Sequence, residues 1–226
     1  MQIIDVIIKY FPSFLKALEA TIRLTVVSLI VATILGVVFG MFKVSSIKPL
    51  KWIANIYIDI IRGTPLLVQT FIIYFGLGQA LRPVGFTWNN LGGPFTAGAV
   101  TLSLNAGAYM AEIIRGGIEA IDVGQMEAAR SLGLPYGKAM MKIILPQAFR
   151  IMLPSIINQF IISLKDTSIL SVIGIRELTQ NGKIITANSS TIVMATWIAV
   201  ALFYFVICTI LSRIAKMVER KVSYGK

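Results

Sequence analysis

Long runs of apolar residues without charge recur along the chain, separated by shorter segments that hold most of the charged residues. A helix needs about 20 mostly apolar residues to cross the hydrocarbon core of a bilayer, and each run is close to that length. The pattern therefore predicts an all-α integral membrane protein with five transmembrane helices, in a single domain over residues 1–226. The predicted spans cover residues 24–42, 57–81, 95–115, 151–173 and 191–212.

The segment before the first span has a different pattern. Residues 1–23 mix Phe, Leu and Ile with charged residues at short, regular intervals. Such a segment is too charged to span a membrane, and its spacing is typical of a helix that lies in the membrane interface. We therefore expect an amphipathic N-terminal helix ahead of the five spans.

The distribution of basic residues predicts the orientation of these spans. Most of the 21 Lys and Arg residues fall in three segments, 43–62, 115–150 and 213–226. Segments rich in Lys and Arg face the cytoplasm. The N-terminus is therefore expected outside and the C-terminus in the cytoplasm.

Composition supports a membrane protein and excludes several kinds of site. Hydrophobic residues make up 56% of the 226 residues and charged residues only 14%, against about a quarter in soluble domains. The chain has no His, one Cys (Cys208) and no P-loop pattern. We thus expect no catalytic residue, no metal ligands and no cofactor in this chain, and we attribute the net charge of +11 to topology, not to nucleic acid binding.

The longest cytoplasmic segment contains a predicted helical elbow over residues 124–146. Strong helix formers run from Glu127 to Leu132, and Gly133 suits the left-handed residue that ends a helix. Pro135 favours the first turn of a second helix, which runs into Pro146. The pattern alone leaves two interpretations open: an elbow that docks on a cytoplasmic partner, or a solvated loop.

The spacing of this segment resembles the EAA loop in the membrane subunits of ABC importers. Glu127-Ala128-Ala129 is followed at set intervals by Gly133 and by Ile143-Ile144-Leu145-Pro146. Three further segments are similar to the polar amino acid branch of that family, and the resemblance covers roughly residues 15–215. These segments are RGTPLLVQ at 62–69, YMAEIIRGGI at 109–118 and LKDTS at 164–168.

The resemblance implies a type I importer fold in the bacterial inner membrane. It implies two permease copies, two cytoplasmic ABC ATPases that bind ATP and magnesium, and an extracytoplasmic solute-binding protein. One copy carries one EAA segment, so a homodimer is expected, and a heterodimer with a similar permease remains open. Carried onto this chain, the ATPase-coupling residues are Glu127, Ala128, Ala129 and Gly133.

Ionisable residues at membrane depth are candidates for substrate contacts, because they are costly to place there. Asp166 and Lys165 lie in the fourth span, and Glu112 closes the third. Each also has a structural interpretation. Asp166 and Lys165 can form an ion pair or Lys165 can reach the interface, while Glu112 can pair with Arg115 three residues on.

Uncharged polar residues extend this set. Asn105, Tyr109 and Glu112 share one helix face, which favours a wet cavity over lipid. Asn158 lies eight residues before Asp166, on the same side of the fourth span. Such amides also join helices to one another. Thr64 and Gln69 open the second span, and Gln69 can bind an α-carboxylate or a neighbouring helix.

Two acidic candidates, Glu112 and Asp166, favour a polar and specifically a basic amino acid such as arginine, lysine or histidine as the substrate. Glutamine or another polar amino acid is the alternative. A secondary transporter or channel without an ATPase is the alternative from another class, although secondary transporters usually contain internal repeats, and we find none.

Overall fold

The computed structural model describes residues 2–223. Met1 and residues 224–226 lie outside this range, including Lys226 of the basic C-terminal segment. Within the described range the secondary structure is entirely helical. The all-α class predicted from the apolar runs is therefore confirmed.

Helix α1 runs without interruption over Gln2–Val44. The predicted interfacial segment and the first predicted span are thus parts of one helix. The reason is that Phe14, Ala17 and Thr21 are buried, and the first two belong to a core shared with the chain from Leu178 onwards. Tertiary packing holds this partly charged stretch in line with the apolar stretch that follows it.

Helices α2 (Lys48–Arg62) and α3 (Leu66–Phe71) meet at a sharp bend. A π-helical segment, Ile72–Leu77, and a short α4, Gly78–Ala80, extend α3. The helical axis bends by 103° between α2 and the stretch Leu66–Ala80. The second predicted span, 57–81, therefore contains this bend, which lies at the helix start or kink expected at Pro65. Pro65 lacks the N–H that a helix needs and disfavours helical geometry in the residue before it.

Helix α5 spans Pro94–Glu119 and is the most enclosed helix of the bundle. It packs along α1 and also contacts α2 and α8. Small residues permit this: a Cβ added to Gly36 of α1 would lie 2.5 Å from the Cβ of Met110 on α5. Short 3-10 turns at Arg82–Val84 and Trp88–Leu91 connect α4 to α5.

The predicted elbow is present. Helix α6 covers Val123–Ser131, Gly133 has a left-handed φ of +83°, and Pro135 caps α7 at Tyr136–Ala139. The second arm does not end at Pro146. It passes through a π-helical turn, Met140–Ile144, into α8, Leu145–Asp166, because the widened turn accommodates a proline that donates no backbone hydrogen bond.

The remainder of the described chain packs on the N-terminal part of α1 and on α8. A 3-10 segment, Thr167–Ile173, follows α8, so the fourth predicted span is helical but not α-helical throughout. Helix α9 covers Leu178–Ala187, and a 3-10 turn, Ser190–Ile192, leads into α10, Val193–Ser223.

Three continuous helical stretches of the described range are long and apolar enough to cross a membrane: Gln2–Val44, Tyr136–Ile173 and Ser190–Met217. The bent pair Lys48–Arg62 and Leu66–Ala80 passes as a fourth when taken together. Helix α5 is not among them. It is rich in Gly, Ala and polar residues, and most of it is buried against other helices.

Candidate functional site

A cavity of about 660 Å³ lies where the α2–α3 bend faces α5 and α8. The bend forms one wall of the cavity, because the end of α2, the start of α3 and residues 63–65 between them all line it. Of the residues predicted as substrate contacts, it brings together Thr64, Asn105, Tyr109 and Asp166. Its complete lining is Arg62, Gly63, Thr64, Pro65, Leu66, Asn105, Tyr109, Gln159, Ile162 and Asp166.

Gln69 is buried behind this wall and stabilises the bend. Its Nε2 donates hydrogen bonds to the carbonyl oxygens of Ile61 (2.7 Å) and Thr64 (3.0 Å) and to Thr64 Oγ1 (3.0 Å). Its Oε1 accepts from Nδ2 of Asn105 at 3.0 Å. Of the two roles predicted for Gln69, the structure shows the contact with a neighbouring helix.

Two walls of the cavity carry opposite charge. The guanidinium of Arg62 lies 5.4 Å from the centre of the Tyr109 ring, a cation–π contact. Asp166, the last residue of α8, is half-buried on the α8 side. No ion pair joins Lys165 to Asp166 within residues 2–223, and the side chain of Lys165 is exposed outside the cavity lining.

Glu112 is not part of the cavity lining and sits in a cluster of cations. Its carboxylate pairs with Lys43 of α1, with Arg115 at 2.9 Å and with Arg62 at 3.6 Å. The local pair with Arg115 was one of the sequence-based interpretations. Lys43 and Arg62 could not be foreseen, because helix packing brings them to Glu112 from distant parts of the chain.

Asn158 also lies outside the cavity lining, on an exposed part of α8, whereas its neighbour Gln159 is buried and lines the cavity. Gln159, Ile162 and Arg62 line the cavity but were not among the predicted substrate contacts. The helical spacing of Gln159 and Ile162 from Asp166 places all three on one side of α8. Arg62 opens the segment that carries the family resemblance, but was assigned only to topology.

The elbow presents an open surface. Glu127, Ala128 and Gly133 are exposed, and Leu132 is 84% exposed. Ala129 instead faces inwards and is buried. An apolar side chain as exposed as Leu132 at the tip of a turn is typical of a contact site for another protein.

Comparison with known proteins defines the family. Residues 20–224 match the family model described as the binding-protein-dependent transport system inner membrane component. The chain belongs to this family. The resemblance to ABC importer permeases drawn from the elbow and its neighbouring segments is thereby confirmed.

Relatives of this inner membrane component match it over nearly the whole chain. The arginine transport system permease protein ArtQ of Bacillus subtilis (strain 168) is 43% identical over 215 residues, covering 95% of this chain and 94% of ArtQ. The glutamine transport system permease protein GlnP of Escherichia coli (strain K12) is 39% identical over 214 residues, covering 93% of each.

A solved structure agrees in fold as well as sequence. A chain from the crystal structure of an amino acid ABC transporter with histidines superposes with a TM-score of 0.85 and 41% identity, covering 96% of this chain and 97% of that one. The type I ABC permease fold expected for this inner membrane component is therefore confirmed at the level of the helical architecture.

Proposed function

We propose that this permease subunit forms the translocation pathway for a polar amino acid, and that the cavity between the α2–α3 bend, α5 and α8 is its substrate site. The observation that carries the proposal is the pair of opposite charges on its walls, Arg62 and Asp166, among uncharged polar groups. A free amino acid carries the same two charges. A volume of about 660 Å³ is ample for one such molecule.

Within this class we favour a basic amino acid. Glu112 no longer supports that choice, because Lys43, Arg62 and Arg115 neutralise it outside the cavity. The support comes from Asp166 and from the similarity to an arginine permease. Glutamine is the second candidate, since the similarity to a glutamine permease is nearly as high.

We further propose that the elbow couples transport to a pair of cytoplasmic ABC ATPases, which bind ATP and magnesium while this chain binds neither. The exposed Glu127, Ala128 and Gly133 would contact the ATPase directly, and Ala129 would hold the elbow in shape from inside. An extracytoplasmic solute-binding protein would deliver the substrate, and two copies of this chain would pair as a homodimer. The exposed apolar tip of the elbow supports the coupling role.

In the membrane we propose five crossings, of which α5 is the most enclosed by other helices. At 1.5 Å per residue its 26 residues extend about 39 Å, enough for the hydrocarbon core. The amphipathic N-terminal part of α1 would lie towards the outer interface, with the N-terminus outside and the C-terminus inside. The convergence of Lys43, Arg62 and Arg115 on one carboxylate supports this orientation, since all three come from the basic set assigned to the cytoplasm.

The decisive experiment is transport in liposomes that contain this chain together with a cognate ABC ATPase and solute-binding protein. We expect ATP-dependent uptake of arginine, lysine or histidine, and ATP hydrolysis stimulated by the loaded binding protein. Uptake that is driven by an ion gradient without ATP would indicate a secondary transporter instead. Uptake of glutamine alone would select the second substrate.

A charge-neutral variant tests the assignment of Asp166. Asp166→Asn should raise KM for a basic amino acid at least tenfold, because the cavity loses its anionic wall. Asp59→Asn is the matched control, since Asp59 is an exposed acidic residue of α2 that does not line the cavity. Equal KM values for the wild type and Asp166→Asn would exclude this residue as a substrate contact.

A further inference from the structure

We propose that Arg62 is the group that binds the carboxylate of the substrate, and that it moves away from Glu112 to do so. This inference rests on the proposed function, because it assumes that the cavity accepts a free amino acid. It assigns a specificity-determining role to a residue that was not among the predicted substrate contacts.

The position of Arg62 joins the cavity to the cation cluster. It is the last residue of α2, and the 103° bend begins directly after it. Its side chain lines the cavity and lies over the Tyr109 ring. At the same time its Nη1 is 3.6 Å from Oε2 of Glu112. One guanidinium therefore borders both the substrate space and a carboxylate outside it.

Of the three contacts that Glu112 makes with cations, the contact with Arg62 is the weakest and can break while the other two remain. Arg115 donates from Nε (3.1 Å) and Nη2 (2.9 Å) to the same carboxylate oxygen, and Lys43 donates to the other oxygen. The 3.6 Å separation from Arg62 is longer than a normal hydrogen bond of about 2.7 to 3.2 Å. Glu112 stays paired when Arg62 turns away.

The charge balance of the cluster leaves Arg62 available to an anion. Lys43, Arg62 and Arg115 face two carboxylates, Glu112 and Glu119, so the described cluster has one positive charge in excess. Arg62 is also the most accessible of the cations, with 43% of its side chain exposed against 17% for Lys43 and 31% for Arg115. An incoming carboxylate would compensate the excess charge.

Two other polar side chains of the cavity wall already donate hydrogen bonds within the protein. The Nδ2 of Asn105 donates to Gln69, and the Thr64 hydroxyl donates to the carbonyl oxygen of Ile60 at 2.8 Å. A planar guanidinium can hold a carboxylate through two parallel hydrogen bonds, which a single amide or hydroxyl cannot. With Arg62 on the carboxylate, Asp166 on the α8 wall remains for a substrate ammonium group.

The test compares each amino acid with its own α-carboxamide, which keeps the side chain and size but removes the carboxylate charge. Binding is measured on the purified complex of permease and ATPase without the solute-binding protein, so that the selectivity of that protein does not enter. The wild-type complex should prefer the free amino acid at least tenfold. Arg62→Gln should abolish this preference, and Arg62→Lys should restore part of it.

Arg115→Gln is the matched control, because it also removes one cation from Glu112 but does not line the cavity. It should keep the preference for the free carboxylate. The inference is overturned if Arg62→Gln keeps the wild-type preference, or if the wild type binds both ligands equally while still transporting amino acids. Failure of the wild type to bind or transport any amino acid would instead overturn the proposed function itself.

Discussion

Gln69 shows how far a single residue's role depends on its surroundings. As a polar residue in an apolar run it is equally suited to substrate or to helix contacts. In the folded chain both ends of its amide are occupied, by the α2–α3 bend and by Asn105. The residue is therefore structural, and it acts on the cavity by holding the bend against α5.

Removal of this amide should destabilise the protein. Gln69→Leu leaves buried acceptors at the bend without their donor, at about 1 to 3 kcal/mol for each group left unsatisfied. We expect a clear fall in the thermal unfolding temperature of the detergent-purified chain. Gln79→Leu, at an exposed position, is the control and should change the temperature little. Equal unfolding temperatures for the two variants would contradict this account.

At the scale of helices, the contact between α1 and α5 depends on the absence of side chains. A Cβ at Gly36 would come within 2.5 Å of both Cβ and Cγ of Met110. Gly36→Ala should therefore force the two helices apart, at a cost of about 1 to 3 kcal/mol in unfolding free energy. Gly76→Ala, where an added Cβ meets nothing within 4 Å, should be tolerated in the same unfolding measurement.

The elbow is an element whose shape depends on one backbone angle. Gly133 has φ of +83°, and a Cβ there would meet nothing within 4 Å, so a substitution strains only the backbone. A β-branched residue resists this conformation, at about 1 to 2 kcal/mol. Gly133→Val should therefore weaken stimulation of ATP hydrolysis and uptake while the protein still inserts.

Glycine at position 137 provides the control for that experiment. It lies in α7, and an added Cβ there also meets nothing within 4 Å. Gly137→Val should keep most of the coupling, because no left-handed angle is required at a helical position. Full uptake by Gly133→Val would contradict this prediction, because it would show that coupling does not depend on the backbone angle at position 133.

At the scale of the whole molecule, the proposed five crossings and their proposed orientation can be tested with an impermeant thiol reagent. In a Cys208→Ser background, the single variants Arg82→Cys and Asn188→Cys should react in intact cells. Both positions are exposed and lie in connections between helices on the proposed outer side. A cysteine at exposed Gly124 in the elbow should react only after the membrane is opened. Labelling of Gly124→Cys in intact cells would reverse the orientation.

The sequence by itself determined the features that depend on nearby residues. Apolar run length indicates membrane helices, because each helix must match the thickness of the bilayer. The elbow was predicted correctly because Gly133 tolerates the left-handed angle that ends a helix, while Pro135 fixes its own φ at a value that suits a helix start. The family followed from the spacing around Glu127, which needs no knowledge of the fold.

Only the tertiary structure decided which polar residues share the cavity. Thr64 and Arg62 reach Asn105 and Tyr109 because a 103° bend turns the end of α2 towards α5. Glu112 lies outside the cavity lining, and Lys43, 69 positions away in the chain, is packed beside it. Charge pairing between helices depends on their packing distances, and no pattern along a single helix contains those distances.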